Sequence, residues 1–290
     1  MKVLKNELLK KHTSFHAGGP AMCYAVPEDR EELIALIRFL YKEKLPYRII
    51  GNGTNLLVSD QGLNEVIVEV GRMMEGTELL PGDRIRVTAG TLLSRAALFA
   101  YEHGLAGMEA LRGIPGTVGG GVTMNAGAYG TEICDVLESC EVIDPDGTIR
   151  ELPAAALRLS YRHSAVPESG WIVLSAVFRL KKDDPEQILA RMRDYQQRRM
   201  DKQPLNKFSA GSTFARPEGC FAGRLIEEAG LRGFSLGTDA KVSEKHCGFV
   251  INDGNASAED IYRLIREIQA RVYRNAGIRL EPEVKIWGNF

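Results

Sequence analysis

The 290-residue sequence lacks two features that would place it at a membrane or on a nucleic acid. It has no apolar run long enough to span a bilayer, and its lysine-rich start, MKVLKNELLKKHTSF, has no apolar segment of signal-peptide length. It also has no excess of either charge, since 37 lysines and arginines face 38 aspartates and glutamates. General binding to nucleic acid would need a basic excess. We therefore expect a soluble cytoplasmic protein with neither a nucleic acid nor a membrane as its partner.

Cysteines are few and are not spaced like metal ligands or a disulfide framework. Their number is odd, no CxxC motif occurs, and His246 and Cys247 form the one Cys–His pair worth noting. Neighbouring residues on a strand point to opposite faces, which argues against a catalytic dyad there. We expect reduced thiols and no bound metal. The five are Cys23, Cys134, Cys140, Cys220 and Cys247.

Glycine, by contrast, is concentrated in residues 111–130, which read LRGIPGTVGGGVTMNAGAYG and hold seven glycines. Glycine permits positive φ angles and lets backbone N–H groups approach a ligand closely, so this stretch could line a diphosphate. For one such loop, a turn between strands is the plainer interpretation. A second glycine loop, GNGTNLL over residues 51–57, favours a large dinucleotide instead. That second loop lacks the Gly-Lys-Ser/Thr ending of a P-loop and does not lead into a helix as a Rossmann fingerprint does.

Hydrophobic periodicity and turn residues predict an α+β chain. In the last helix, Ser257 and Asp260 predict a capping box at its start, and Gly277 predicts its end. Beyond Pro204 the sequence changes to new loops and glycine-rich turns, which suggests a domain boundary near residue 200. We predict domains over 1–75, 76–200 and 201–290. Helices are predicted over 28–44, 92–102, 184–199 and 257–276, strands over 47–50, 65–70, 85–89, 171–180 and 284–287, and a hairpin over 139–149.

Five motifs in chain order resemble one family. They are GNGTNLLV, GLAGMEALRGIPGTVGGGVTMNAGAYG, YRHS, SAGSTF and EPEVKIWG. Together they resemble the UDP-N-acetylenolpyruvoylglucosamine reductases, in the shorter of that family's two types. The resemblance implies two FAD-binding lobes of the vanillyl-alcohol-oxidase/PCMH type and a smaller α+β substrate-binding domain. It also implies NADPH-dependent reduction of the enolpyruvyl group of UDP-N-acetyl-3-O-(1-carboxyvinyl)-glucosamine to UDP-N-acetylmuramate in peptidoglycan precursor synthesis.

The same resemblance implies a non-covalent FAD, because the GNGTNLL loop contains neither histidine nor cysteine to tether the flavin. NADPH is the implied hydride donor, and no metal is needed because the flavin carries the redox chemistry. The implied cofactor-binding residues are Gly51, Asn52, Gly53, Thr54, Asn55, Leu56, Gly113, Ile114, Pro115, Gly116, Thr117, Gly119, Gly120, Asn125, Ala126, Gly127 and Ala128.

Three residues inherit catalytic roles from the resemblance. Arg162, in YRHS, would stabilise negative charge that develops on the enolpyruvyl carboxylate. Ser212, in SAGSTF, would protonate C2, and Thr213 beside it is the competitor on sequence grounds alone. Glu283 would deliver a proton or hold the enol form. Glu281 is the alternative, because two glutamates flank Pro282.

Substrate-binding residues are less clearly marked. The resemblance implies that Tyr161 and Lys202 bind substrate. Where the family usually reads Lys-Asn-Pro after its Gly-Ser-x-Phe, this chain has Ala215-Arg216-Pro217, and Arg216 could substitute as a diphosphate ligand. His16, in the Gly-Gly-Pro turn, is either a cofactor contact or a solvated or core histidine.

Two other functions compete with the reductase. A flavin oxidase of the same fold would use oxygen and an alcohol, which would leave Arg162, Ser212 and Glu283 unexplained. A non-catalytic module that holds FAD or a UDP-sugar is favoured only by the altered Ala215-Arg216 pair. We expect the protein to act on small molecules as a monomer.

Overall fold

The computed structural model describes residues 1–71 and 74–290. Each of the four predicted helices is confirmed, with ends shifted by up to three residues. Local signals set these ends: the side chain of Asp29 accepts a hydrogen bond from the backbone N–H of Glu32 at the start of the first helix. The two shortest helices were not predicted. The helices are α1 (Arg30–Lys42), α2 (Leu93–Glu102), α3 (Val118–Thr123), α4 (Pro185–Lys202), α5 (Ala222–Glu228) and α6 (Ala258–Ala276).

Each predicted strand forms, but more than half of the strands in the described residues were not predicted, including Lys2–Leu8 and Pro20–Val26. The predicted hairpin forms, with an antiparallel pair from Ser139↔Pro153 to Ile143↔Ile149. The strands are β1 (Lys2–Leu8), β2 (Pro20–Val26), β3 (Tyr47–Ile50), β4 (Leu56–Val58), β5 (Leu63–Glu69), β6 (Thr77–Leu80), β7 (Arg84–Thr88), β8 (Leu105–Ala106), β9 (Gly127–Ala128), β10 (Thr131–Glu132), β11 (Leu137–Ile143), β12 (Ile149–Pro153), β13 (Ile172–Arg179), β14 (Lys181–Lys182), β15 (Ala240–Val242), β16 (Val250–Asn252) and β17 (Lys285–Trp287).

Part of the predicted GNGTNLL turn is wrong, because its last two residues belong to a strand. Leu56 and Leu57 begin β4, where both are buried. This strand pairs in parallel with β17, and Leu56 is opposite Lys285. The partner lies more than two hundred residues away, so no local pattern could reveal the pairing.

Contacts divide the chain into two compact units. The first unit comprises Met1–Leu4, Cys23–Asn52 and Glu65–Arg198, and the second comprises Lys5–Met22, Gly53–Asn64 and Arg199–Phe290. The proposed division into 1–75, 76–200 and 201–290 stays a prediction.

The first unit is organised on sheets. One five-stranded sheet has the order β12-β11-β13-β7-β6, and β3 pairs in parallel with residues 66–69 of β5. The predicted apolar faces of two helices pack into its core. Their buried residues are Leu33, Leu36, Ile37 and Leu40 of α1 and Leu93, Ala96, Ala97 and Ala100 of α2.

The second unit is built around α6. Its predicted face is fully buried and consists of Ile261, Leu264, Ile265, Ile268 and Val272. The predicted capping box is present, and Gly277 ends the helix with a φ of 69°. The Asp60 carboxylate adds a second cap, accepting hydrogen bonds from the backbone N–H groups of Ala258 and Glu259 at 3.0 and 2.9 Å. Burying each of these large side chains contributes about 1.5–3 kcal/mol, so α6 anchors this unit.

All five cysteines have free thiols. Within the described ranges, the helices are either too short or too polar to cross a lipid bilayer.

Candidate functional site

In the first unit, the start of the GNGTNLL loop lies against the long glycine segment of residues 111–130. The side-chain amide of Asn52 donates a hydrogen bond to the carbonyl oxygen of Pro115 at 2.7 Å. A Cβ at Gly51 would lie 2.5 Å from Oγ1 of Thr117, so only glycine permits this approach. Two stretches about sixty residues apart in sequence therefore form one structural feature.

This feature carries backbone donors that the protein itself does not use. In the part of the chain that the structure describes, the N–H groups of Gly51, Asn52, Gly116 and Thr117 have no hydrogen-bond acceptor. Clustered N–H donors on glycine loops suit an anionic diphosphate. The residues present therefore fit the diphosphate of a dinucleotide cofactor such as FAD.

The next residues, at the start of α3, have a different role. Thr117 caps this helix, its Oγ1 accepting from the N–H of Gly120 at 3.3 Å, and Gly119 donates its N–H to Ala89 at 2.9 Å. A Cβ at Gly119 would lie 3.0 Å from the Cβ of Ala89, so this glycine serves close packing. Gly120 is exposed, and a Cβ there would meet only Oγ1 of Thr117, at 3.5 Å. Gly120 is therefore the glycine of α3 that a ligand could approach.

Asn125 is fully buried, and its side chain is committed to the protein. Its amide nitrogen donates to the carbonyl of Ser160 and to Oε2 of Glu132, both at 2.9 Å, and its oxygen accepts from the N–H of Cys134 at 2.9 Å. Its φ of 41° is in the left-handed region, where asparagine is better tolerated than most residues. The side chain thus joins the glycine segment to the loop that carries YRHS.

Arg162 lies on the loop that carries YRHS, and its side chain contacts the glycine segment. Its Nη2 donates to the carbonyl of Gly127 at 3.1 Å, and its Nη1 lies 3.6 Å from Oε1 of Glu132. The Tyr161 ring lies 4.9 Å from the guanidinium carbon, and Oγ of Ser164 donates to the carbonyl of Thr123 at 2.7 Å. Arg162 itself has a φ of 55°. A non-glycine residue in this strained region is a common feature of functional sites.

In the second unit, the SAGSTF segment runs antiparallel to the segment that carries Glu283. The N–H of Glu283 donates to the carbonyl of Thr213 at 2.9 Å, and the N–H of Ala215 donates to the carbonyl of Glu281 at 2.9 Å. Ser212 and Glu283, which are 71 residues apart in sequence, are thus on neighbouring backbones.

The structure separates the two hydroxyl candidates. Thr213 is fully buried, and its Oγ1 accepts a hydrogen bond from the N–H of Val250 at 2.9 Å. Ser212 is exposed. Only the serine is therefore accessible to a substrate. Of the two glutamates, Glu281 is exposed and Glu283 is half-buried.

In the second unit, the later residues of the GNGTNLL loop pack beside Glu283. Asn55 donates its side-chain amide to the carbonyl of Glu283 at 3.3 Å and accepts a hydrogen bond from the N–H of Lys285 at 2.9 Å. Gly53 has a φ of 60°, and a Cβ there would lie 1.9 Å from the carbonyl oxygen of His12. These residues have structural contacts that the sequence pattern did not reveal.

The predicted substrate-binding residues are all exposed: Tyr161 in the first unit and Lys202 and Arg216 in the second. The guanidinium carbon of Arg216 lies 4.0 Å from the centroid of the Phe221 ring. His16 is an exposed histidine stacked on Phe208, with ring centroids 3.8 Å apart.

Sequence reasoning missed Glu132, whose carboxylate contacts both Arg162 and Asn125. It lies on a short strand with no periodicity to mark it. An acidic residue just after the glycine segment was the one available signal.

Comparison with known proteins gives one consistent result. Residues 203–287 match the family described as UDP-N-acetylenolpyruvoylglucosamine reductase, C-terminal domain, and residues 21–153 match the family described as FAD binding domain. The chain is 49% identical over 287 residues to the UDP-N-acetylenolpyruvoylglucosamine reductase of Caldanaerobacter subterraneus subsp. tengcongensis, covering 99% of this chain and 94% of that protein. It is 48% identical to the protein of the same name from Agathobacter rectalis, covering 99% and 95%.

Solved structures agree. The crystal structure of UDP-N-acetylenolpyruvylglucosamine reductase (MurB) from Thermus caldophilus superposes with a TM-score of 0.87 at 39% identity, covering 99% of this chain and all of that one. A solvent-stable cholesterol oxidase, 12% identical, matches 62% of this chain and 38% of its own with a TM-score of 0.50, which concerns the fold alone. The predicted fold class, an α+β FAD-binding fold of the vanillyl-alcohol-oxidase/PCMH type with a further α+β domain, is confirmed.

Proposed function

Because this chain belongs to the family of UDP-N-acetylenolpyruvoylglucosamine reductases, we propose that it uses NADPH to reduce the enolpyruvyl group of UDP-N-acetyl-3-O-(1-carboxyvinyl)-glucosamine. The product is UDP-N-acetylmuramate, a peptidoglycan precursor. When bound, FAD would accept a hydride from NADPH and pass it to C3 of the enolpyruvyl group. Beyond family membership, the observation that carries the proposal is the backbone pairing of Thr213 and Ala215 with Glu283 and Glu281, directly after Ser212.

The donors of the two glycine loops would bind the cofactor. The N–H groups of Gly51, Asn52, Gly116 and Thr117 are available to diphosphate oxygens, and the open side of Gly120 lets a ligand approach. A histidine or cysteine that could tether the flavin is absent from residues 51–57, so the FAD would be held without a covalent bond.

Arg162 would stabilise the charge that the reduction creates. Hydride addition at C3 leaves negative charge at C2, delocalised into the carboxylate. A guanidinium is planar and permanently charged, and that of Arg162 is held by Gly127, so it would favour this charge without reorganising.

Ser212 would then give the proton of its Oγ to C2. The exposure of Ser212 and the committed hydroxyl of Thr213 support this choice. Glu283 would either help proton delivery or hold the enol form by hydrogen bonding. Its half-buried position and its backbone bond to Thr213 support the choice over Glu281.

The exposed cations of the second unit would bind the UDP part of the substrate. Arg216 offers a bidentate fork for phosphate and is kept near the Phe221 ring, and Lys202 offers a point charge. Tyr161 would contact the substrate beside Arg162. We further propose that the protein acts on small molecules in the cytoplasm and that it is a monomer. Light scattering after size-exclusion chromatography would test whether it is a monomer.

Anaerobic stopped-flow absorbance tests the reaction. NADPH should bleach the flavin band of the purified protein, and the enolpyruvyl sugar should restore it. Recovery only on admitting air would show an oxidase. Binding of FAD or the sugar without either change would show a non-catalytic module, and a protein that takes up no FAD would refute the proposal.

A further inference from the structure

The carboxylate of Glu132 connects two groups of the Arg162 region. Its Oε2 accepts a hydrogen bond from the side-chain amide of Asn125 at 2.9 Å, and its Oε1 lies 3.6 Å from Nη1 of Arg162. The backbone of Glu132 is itself fixed, because its N–H donates to the Asp135 carboxylate at 2.8 Å in a reciprocal capping box. The Glu132 carboxylate therefore contacts Arg162 from a backbone whose position is fixed.

The second contact of Arg162 comes from the same hairpin. Nη2 donates to the carbonyl of Gly127 at 3.1 Å, and Gly127 is directly opposite Glu132 in the β9–β10 pair. One terminal nitrogen of the planar guanidinium is thus hydrogen-bonded to Gly127 and the other is ion-paired with Glu132, and a strand register fixes the relative position of these two residues. Rotation of the guanidinium about its bond to the side chain would break the hydrogen bond or lengthen the ion pair.

We propose that Glu132 is a positioning residue that orients the guanidinium of Arg162 for the reduction of the enolpyruvyl group. This inference rests on the proposed function. Glu132 acts through Arg162 and through the Asn125 amide, which fixes the loop at Ser160. A negative charge so near Arg162 also weakens its positive potential, so orientation and electrostatics predict opposite effects when the charge is removed. Orientation is the larger effect here, because misplacement of a reacting group by about 1 Å can cost about a hundredfold in rate.

The test compares the two half-reactions of the FAD-loaded protein with the variant Glu132→Gln. Glutamine keeps an acceptor for the Asn125 amide, so the loop stays anchored while the charge facing Arg162 is lost. We expect reoxidation by the enolpyruvyl sugar to slow by about tenfold, because only this step develops charge for Arg162 to stabilise. Flavin reduction by NADPH should stay within about twofold. Calorimetric binding of the sugar to the oxidised protein should weaken by less than about threefold, because the orientation matters most in the transition state.

A double-mutant cycle shows whether Glu132 works through Arg162. In an Arg162→Ala background, Glu132→Gln should have no further effect on reoxidation, because the group it orients is gone. The matched control is Glu168→Gln. Glu168 is exposed, and its carboxylate lies 2.8 Å from Arg158 and 3.6 Å from His163, so loss of its charge should leave both half-reactions unchanged.

Several results would overturn the inference. Faster reoxidation in Glu132→Gln would mean that the charge hinders Arg162, and equal slowing of both half-reactions would mean a merely structural role. Full additivity with Arg162→Ala would also refute it, as would unchanged reoxidation. If the wild-type flavin is bleached by NADPH and the sugar does not restore it, the proposed function fails and takes this inference with it. If the sugar restores wild type and variant equally fast, only the inference fails.

Discussion

Removing the Thr213 hydroxyl should lower the stability of the protein, whereas removing the neighbouring Ser212 hydroxyl should lower its activity. The Thr213 hydroxyl is fully buried and accepts from the N–H of Val250 at 2.9 Å. Thr213→Val keeps the shape and removes the acceptor, leaving that N–H buried and unpaired. An unpaired buried donor costs about 1–3 kcal/mol, so Thr213→Val should lower the free energy of unfolding by that amount. Ser212 is exposed, so Ser212→Ala should change it by at most about 0.5 kcal/mol.

The catalytic effects should have the reverse order. If Ser212 protonates C2, Ser212→Ala removes the proton donor and should slow reoxidation of the reduced flavin by about 10²–10⁴-fold, the usual contribution of a general acid. Thr213→Val should slow it by less than about threefold, because its hydroxyl serves the fold. Reduction by NADPH should be unaffected in both variants.

Urea unfolding and anaerobic stopped-flow absorbance measure the two effects on the same protein preparations. Each variant is the other's control, since the two side chains are neighbours. Rapid reoxidation in Ser212→Ala together with slow reoxidation in a folded Thr213→Val would refute the assignment and make Thr213 the donor.

Two further predictions concern the glycine segment and a half-buried histidine. Gly120→Ala should stabilise the flavin-free protein by about 0.5–1 kcal/mol, because alanine favours a helix and its Cβ has room, yet it should weaken FAD binding; thermal melting and flavin titration measure both, and unchanged FAD affinity would remove Gly120 from the cofactor site. Burial, then the charges of Arg232 and Lys202, lowers the pKa of His246 below its ordinary 6.5. The unfolded chain therefore binds more protons, so the free energy of unfolding should fall as the pH drops below about 6.5 and level off above it. Urea titrations at pH 5.5 and 7.5 should show a smaller fall in His246→Gln, and an equal fall would contradict the prediction.

Helix α6 shows what the sequence alone could predict. Its apolar residues recur at helical spacing, and its cap and terminating glycine are local signals, so face, start and end were all predictable. Such signals suffice because a helix makes its backbone hydrogen bonds within itself. The hairpin at residues 139–149 was predictable for a similar reason, since its turn is short and local.

The remainder depended on partners distant in sequence. Leu56 and Leu57 form a strand only because β17 pairs with them, and half of the residues of α3 are glycines, so this helix depends on packing. The choice between Ser212 and Thr213 needed family resemblance, because Thr213 is distinguished by its burial and by a hydrogen bond from Val250, which is distant in sequence. Glu132 was missed because its role depends on side-chain contacts with Asn125 and Arg162.

The divided second unit has a consequence for synthesis. Its core combines Phe15 and Leu57 with the apolar face of α6, yet the long segment Glu65–Arg198 of the other unit is translated in between. Translation proceeds at about 5–20 residues per second, so on the order of ten seconds or more pass between the synthesis of Leu57 and that of its packing partners in α6. During that interval these side chains lack the residues of α6 that bury them in the folded protein. The newly made chain should therefore be most prone to aggregation late in translation, before α6 is complete.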